Sequence, residues 1–138
     1  WVAVIGSCFL QTARFDPPAL LLGTQIGLLS VALIAINNLR DMDEDRSTGK
    51  RTLAVRLGPR WARLEIAFCL LMPAVLGLAW FAFEMPTVAL WPLAGLPLGL
   101  YITVRVWATP SGIRYNRFLG LSALNLVLTA GILIANDL

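Results

Sequence analysis

An all-α, multi-span transmembrane helical bundle is the fold class this sequence predicts, and three observations carry the prediction. The composition is 58% hydrophobic and 14% charged, with a mean hydropathy of +0.75, against roughly 45–50% and about 25% in ordinary globular chains. Apolar runs recur along the chain, several of them close to the length of about 20 residues that a helix needs to cross a hydrocarbon core of about 30 Å. The connections between the runs alternate between rich and poor in Lys and Arg, as the positive-inside rule gives for a multi-span protein.

In chain order, the first run, Trp1 to Ala13, makes only about 20 Å of helix and reads as the end of a truncated span. Arg14, Asp16, Pro17 and Pro18 form a polar turn, with the prolines where a helix begins. Ala19–Leu39 is a full span that holds Gln25 and runs straight into the most charged stretch of the chain. Leu53 to Leu64, with Gly58-Pro59 in its middle, reads as a connecting segment, with Trp61 at the headgroup level. Leu64–Phe83 is the next span, with Pro73 as a kink. After the turn at Glu84 to Pro86, Thr87–Trp107 spans again through Pro92 and Pro97, with Arg105 snorkelling near its end. A polar loop, Thr109 to Arg117, leads to the last span, Phe118–Asn136, with Asn125 and Thr129 inside it. Gln25, Asn125 and Thr129 are expected to form interhelical hydrogen bonds, and the tryptophans at 61, 80, 91 and 107 to form an aromatic belt.

The loop from Arg40 to Arg63 carries Lys or Arg at 40, 46, 50, 51, 56, 60 and 63, and the region from Arg105 to Arg117 carries them at 105, 114 and 117. Both connections are therefore expected on the cytoplasmic side of the cell membrane, the inner or plasma membrane, with the C-terminus across it. With no Met before Trp1, the chain, residues 1–138, is expected to be the C-terminal part of a single transmembrane domain. The net charge of +3 does not indicate a nucleic-acid partner, because the bases lie between hydrophobic spans without a groove-binding motif or interleaved aromatics. Cys8 and Cys69 stand alone in apolar surroundings and show no disulfide or metal spacing. The absence of histidine removes histidine zinc sites, Ser-His-Asp triads and histidine bases within this chain.

The chemistry-bearing stretch runs from Asn37 to Gly58 and holds four of the eight acids, Asp41, Asp43, Glu44 and Asp45, with five of the eleven bases. On a continuing helix Asn37, Asp41 and Asp45 share one face, four residues apart. Two carboxylates and an amide suit Mg²⁺, a hard cation that keeps positions open for water and phosphate oxygens. Gly49 can end the helix and release Lys50 and Arg51 to clamp the same phosphate. Asp43 and Glu44 fall off this face and are left to solvent or to Arg46 and Lys50. For Arg40 two readings stay open, a diphosphate contact or an ion pair with Glu44 at i+4.

Asn37-Asn38-x-Arg40-Asp41-x-x-x-Asp45-x-x-x-Gly49-x-x-Thr52-Leu53-Ala54 resembles the second aspartate-rich motif of the UbiA-type membrane prenyltransferases. It is most like the form found in 1,4-dihydroxy-2-naphthoate polyprenyltransferases of menaquinone synthesis, with every fixed position present. The resemblance implies an all-α bundle around a central cavity, of which this chain is a C-terminal fragment of about four full spans plus one truncated span. It implies Mg²⁺ held by Asn37, Asp41 and Asp45, with the two aspartates as catalytic residues and Lys50, Arg51 and Arg40 on the diphosphate. It implies a polyprenyl diphosphate donor, an aromatic acceptor and a lipid bilayer as partners. The implied reaction joins the prenyl group to 1,4-dihydroxy-2-naphthoate with loss of CO₂ and diphosphate, giving demethylmenaquinone. It also implies a first aspartate-rich motif in a missing N-terminal half, so that the fragment alone is expected to be inactive. The alternatives are another aromatic acceptor, 4-hydroxybenzoate or homogentisate, and a channel or transporter fragment lined by Gln25 and Asn125.

Overall fold

The computed structural model describes residues 1–136, and among these every regular element is helical. They are α1 (Val2–Thr12), α2 (Pro17–Arg40), α3 (Met42–Ser47), α4 (Leu53–Leu57), α5 (Pro59–Leu76), α6 (Pro86–Ala89), α7 (Trp91–Ala108) and α8 (Tyr115–Asn136), with a 3-10 segment, Gly77–Phe83, continuing α5. Three helical stretches are long and apolar enough to cross a membrane, Pro17–Arg40, Pro59–Phe83 and Pro86–Ala108. The 22 residues of α8 add about 33 Å of helix, again the thickness of a hydrocarbon core. The chain is a helical membrane protein.

The sequence marks most of the helix starts. Asp16 is the extended N-cap residue of α2, followed by Pro17 and Pro18, whose fixed φ suits the first turn and whose missing N–H is one that the helix could not use. Pro59 opens α5 in the same way, directly after Gly58 at φ 87°. The span expected from Leu64 therefore starts at Pro59, and the expected connector is reduced to the short helix α4. The span expected over Thr87–Trp107 is found as the stretch Pro86–Ala108, interrupted at Leu90 between α6, which ends at Ala89, and α7, with Pro92 in its first turn.

The four long helices close a ring, α2 against α5, α5 against α7, α7 against α8 and α8 back against α2, while α1 leans on α2. Leu29, Ala32, Ile36 and Leu39 of α2 form the stripe at the centre of the core, at the spacing of one helix face. Opposite them lie Ala62, Ile66, Cys69 and Leu70 of α5, Ile102 and Val106 of α7, and Tyr115 and Phe118 of α8. Val31, Ile34, Phe68, Val104 and Val127 point outward, as lipid-facing side chains do. With lipid as apolar as the core, close packing rather than water exclusion holds such helices together.

Gln25 makes the interhelical bonds expected of it, donating from Nε2 to the Pro73 carbonyl at 3.0 Å and accepting from Trp80 Nε1 at 3.0 Å. Trp80 is thus core rather than belt, and Trp91 is buried as well, whereas Trp61 and Trp107 are exposed. Asn125 and Thr129 depart from expectation. Their Oδ1 and Oγ1 are buried without a hydrogen-bond partner among the described residues and press against Gly95 of α7. Both cysteines are free thiols.

At Gly77, where α5 tightens into the 3-10 segment, a Cβ would lie 2.7 Å from the backbone oxygen of Ala89. A backbone carbonyl cannot step aside as a side chain does. Gly77→Ala is therefore expected to destabilise the bundle by about 1–3 kcal/mol, the usual cost of overpacking. Gly27→Ala, which meets nothing within 4 Å, should be neutral or slightly stabilising. Reversible unfolding in mixed micelles measures both, and equal stability of the two variants would contradict the packing.

Candidate functional site

The charged stretch folds as a continuation of α2 with one break. Asp41, at φ −96° and ψ 11°, separates α2 from α3, yet the i to i−4 bonds on either side persist, Asp41 N–H to Asn37 C=O at 3.0 Å and Asp45 N–H to Asp41 C=O at 2.8 Å. Asn37, Asp41 and Asp45 are thereby stacked at successive turns, as their spacing predicts. Asp43 and Glu44 are exposed off this row, and Asp43 pairs with Arg46 at 3.3 Å in solvent.

The helix stops in a Schellman geometry. Gly49 has φ 77°, its N–H reaches Arg46 C=O at 3.3 Å, and the Lys50 N–H reaches Asp45 C=O at 2.9 Å. Glycine takes this left-handed conformation without the steric cost of a Cβ. The reversal turns Lys50 back over the helix end, where its Nζ sits 3.0 Å from Asp45 Oδ1. Arg51 follows exposed, with no ion pair found among the described residues. Thr52 then caps α4, its Oγ1 accepting from Val55 N–H at 3.4 Å, and Ala54 packs into the core. The last three fixed positions of the motif therefore build the return of the chain rather than touch the ridge.

The two carboxylates differ in surroundings. Asp45 is buried, and its Oδ2 has no hydrogen-bond partner among the described residues. A carboxylate oxygen without a donor is costly in a buried place. Asp41 is about a quarter exposed and is gripped by Arg40 in a fork, Nε to Oδ1 at 2.6 Å and Nη2 to Oδ2 at 2.7 Å. The hydrogen bonds from Arg40 hold the Asp41 carboxyl below the usual carboxylate range, so it is an anion at neutral pH. Of the two readings of Arg40, the Glu44 pair gives way to this Asp41 pair. Its Nη1 donates to Asn116 Oδ1 at 2.7 Å, a contact between residues 76 apart in sequence that no local pattern announces.

The donor set fits a hard divalent cation. Two carboxylates and the Asn37 amide stand on one row, the buried Asp45 oxygen lacks a donor, and each Asp41 oxygen keeps a lone pair outside the Arg40 fork. No group of three or more His, Cys, Asp or Glu side chains gathers among the described residues, so this row alone would hold a cation by a few ligands and leave the rest of its sphere open.

Fold and site together define an α-helical membrane protein with one anionic row and a lysine folded onto it at the end of a span. The chain belongs to the UbiA prenyltransferase family, whose profile matches residues 1–136. It is 48% identical over 81 residues to a 1,4-dihydroxy-2-naphthoate octaprenyltransferase of Escherichia coli, a stretch that is 59% of this chain and 26% of that protein. Proteins of the same description from Haemophilus influenzae (40% identical; 65% of this chain and 28% of theirs) and Mycobacterium tuberculosis (38% identical; 72% and 33%) are also similar. The chain thus corresponds to between about a quarter and a third of the length of these relatives. No solved structure matches it.

Proposed function

We propose that this chain, residues 1–138, is the C-terminal part of a transmembrane prenyltransferase domain that transfers a polyprenyl group from an allylic diphosphate to 1,4-dihydroxy-2-naphthoate. The observation that supports this most is the row Asn37, Asp41, Asp45 with Lys50 turned back onto it, in a chain of this family whose listed relatives carry that acceptor in their names. Asn37, Asp41 and Asp45 would hold Mg²⁺, which when bound supplies positive charge to the leaving diphosphate. Lys50 and Arg51 bind the same diphosphate as a point charge and a fork, and Arg40 adds charge beside them. Neutralised in this way, the diphosphate departs with the electrons of its C–O bond. The electron-rich ring attacks the allylic carbon, and loss of the ring carboxylate as CO₂ returns its electrons to the ring, leaving the prenylated 1,4-dihydroxynaphthalene, the quinol form of demethylmenaquinone. Helices α2, α5, α7 and α8 serve the chain's residues by holding the row rigid at a membrane surface. The remaining cation ligands belong to the first aspartate-rich motif, outside this chain, so residues 1–138 alone are inactive.

The deciding experiment supplies the complete enzyme in liposomes with radiolabelled prenyl diphosphate and either 1,4-dihydroxy-2-naphthoate or 4-hydroxybenzoate, with and without Mg²⁺. Product from the naphthoate alone, dependent on Mg²⁺ and accompanied by CO₂, is expected. Product from 4-hydroxybenzoate alone would reassign the acceptor, and cation flux without any product would reject the enzyme. The row faces the cytoplasm of the inner or plasma membrane, on the side of the Arg- and Lys-rich loops. A cysteine at position 47 should accordingly resist impermeant thiol reagents in intact cells and react after permeabilisation.

A further inference from the structure

We propose that Asn116, at the start of α8, is a positioning residue for the anionic row, acting through Arg40 to fix the Asp41 carboxylate. Neighbouring residues on a helix do not face each other, so a fork from Arg40 onto both oxygens of Asp41 is a geometry that has to be imposed. Asp41 sits at the break between α2 and α3, at φ −96° and ψ 11°. What holds the guanidinium in place is at its far end. Nε and Nη2 form the edge spent on Asp41, and the one remaining nitrogen, Nη1, is caught by Asn116 Oδ1 at 2.7 Å. A planar group held on two sides cannot rotate, whereas the long stem of a singly held arginine leaves it several rotamers.

Asn116 is itself well placed to act as the fixed point. Its neighbour Tyr115 is fully buried, and the phenol shares its one O–H between the carbonyls of Val106 and Thr109, at 3.0 and 3.1 Å. Arg63 of α5 donates to the same two carbonyls, at 3.2 and 3.3 Å. The end of α7 and the start of α8 are thereby tied to α5, and Asn116 presents its amide oxygen from a junction of three helices. The last helix thus contributes to a row located some seventy residues earlier in the chain.

The inference rests on the reading of the row as a divalent-cation site, and the experiment separates the two. Mn²⁺ binding to the complete enzyme is followed by electron paramagnetic resonance for Asn116→Leu, Asn116→Asp and Asp41→Asn, with the KM for prenyl diphosphate and cation-free melting measured in parallel. Asn116→Leu keeps the size and removes the acceptor. It is expected to weaken Mn²⁺ binding by about 10–100-fold, the usual effect of removing a partner that orients a metal ligand, and to raise the Mg²⁺ needed for half-maximal rate. Asn116→Asp restores an acceptor for Nη1 and is expected to restore binding, with cation-free melting unchanged in both. Wild-type Mn²⁺ affinity in Asn116→Leu beside lost affinity in Asp41→Asn overturns the positioning role and leaves the cation site standing. Equal damage in the Leu and Asp variants overturns it as well, since the acceptor would then be irrelevant. Unchanged Mn²⁺ binding in Asp41→Asn removes the cation site, and the inference with it.

Discussion

In the complete enzyme, Asp41→Asn and Asp45→Asn are each expected to lower turnover by about 10²–10³-fold, the usual consequence of losing one preorganised charge contact in a transition state, while Asp43→Asn leaves it nearly unchanged. Asparagine keeps the size of the side chain and deletes the charge that neutralises a cation. The structure sharpens the contrast among the three. Asp45 is buried with one oxygen unpaired, so its charge has the strongest call on a cation. Asp41 is held as an anion by Arg40. The side chain of Asp43 is 83% exposed and pairs with Arg46, with water available to replace that contact. Steady-state kinetics across Mg²⁺ concentrations in liposomes measures the effect. A loss in Asp43→Asn equal to that in Asp41→Asn would mean that the chemistry does not run along the Asn37, Asp41, Asp45 row.

How much of this was legible in the sequence follows from what each signal depends on. The row and its reversal are local. Spacing of four places Asn37, Asp41 and Asp45 together, and the glycine at 49 ends the helix, so both were readable and both are found. The spans are readable from hydropathy, though hydropathy alone starts the second full span at Leu64, whereas Pro59, a stronger signal for a first turn, opens α5 five residues earlier. The Thr52 cap could likewise have been read from a threonine ahead of an apolar helix. What could not be read is which face of each span turns inward. A helix that is apolar all round carries no stripe, and the inward face of α2 mixes Gln25 and small alanines with Leu29, Ile36 and Leu39, while equally apolar Val31 and Ile34 face outward. For the same reason Trp80 and Trp91, which lie near span ends as belt residues do, read as belt and are found in the core. Asn116 is hidden for a different reason, since its role depends on a partner brought near only by the closing of the four-helix ring.

Lys50→Ala is expected to have the second-largest effect, raising the KM for prenyl diphosphate by about 10–100-fold, as follows from losing a hydrogen bond between charged groups of roughly 1.5–3 kcal/mol. The apparent affinity for the aromatic acceptor should change little, because an acceptor ring presents no phosphate to this amine. Lys50 also serves Asp45, whose Oδ1 it meets at 3.0 Å. Removing the amine leaves both oxygens of a buried carboxylate without a donor, so the variant should be less stable without divalent cation than the unaltered enzyme. Adding Mg²⁺ should recover most of that loss, since the cation supplies the charge the lysine no longer does. The lysine side chain is 58% exposed, so its pairing energy is screened and the stability effect stays well below that of breaking a fully buried pair. Arg51→Ala, which has no such partner on the row, should raise the same KM without any stability change. The distinction is made by melting each variant with and without Mg²⁺ beside its kinetics. A Lys50→Ala enzyme with unchanged KM for the diphosphate, destabilised alike in both conditions, would make Lys50 a structural counter-ion of Asp45 and leave the diphosphate to Arg51.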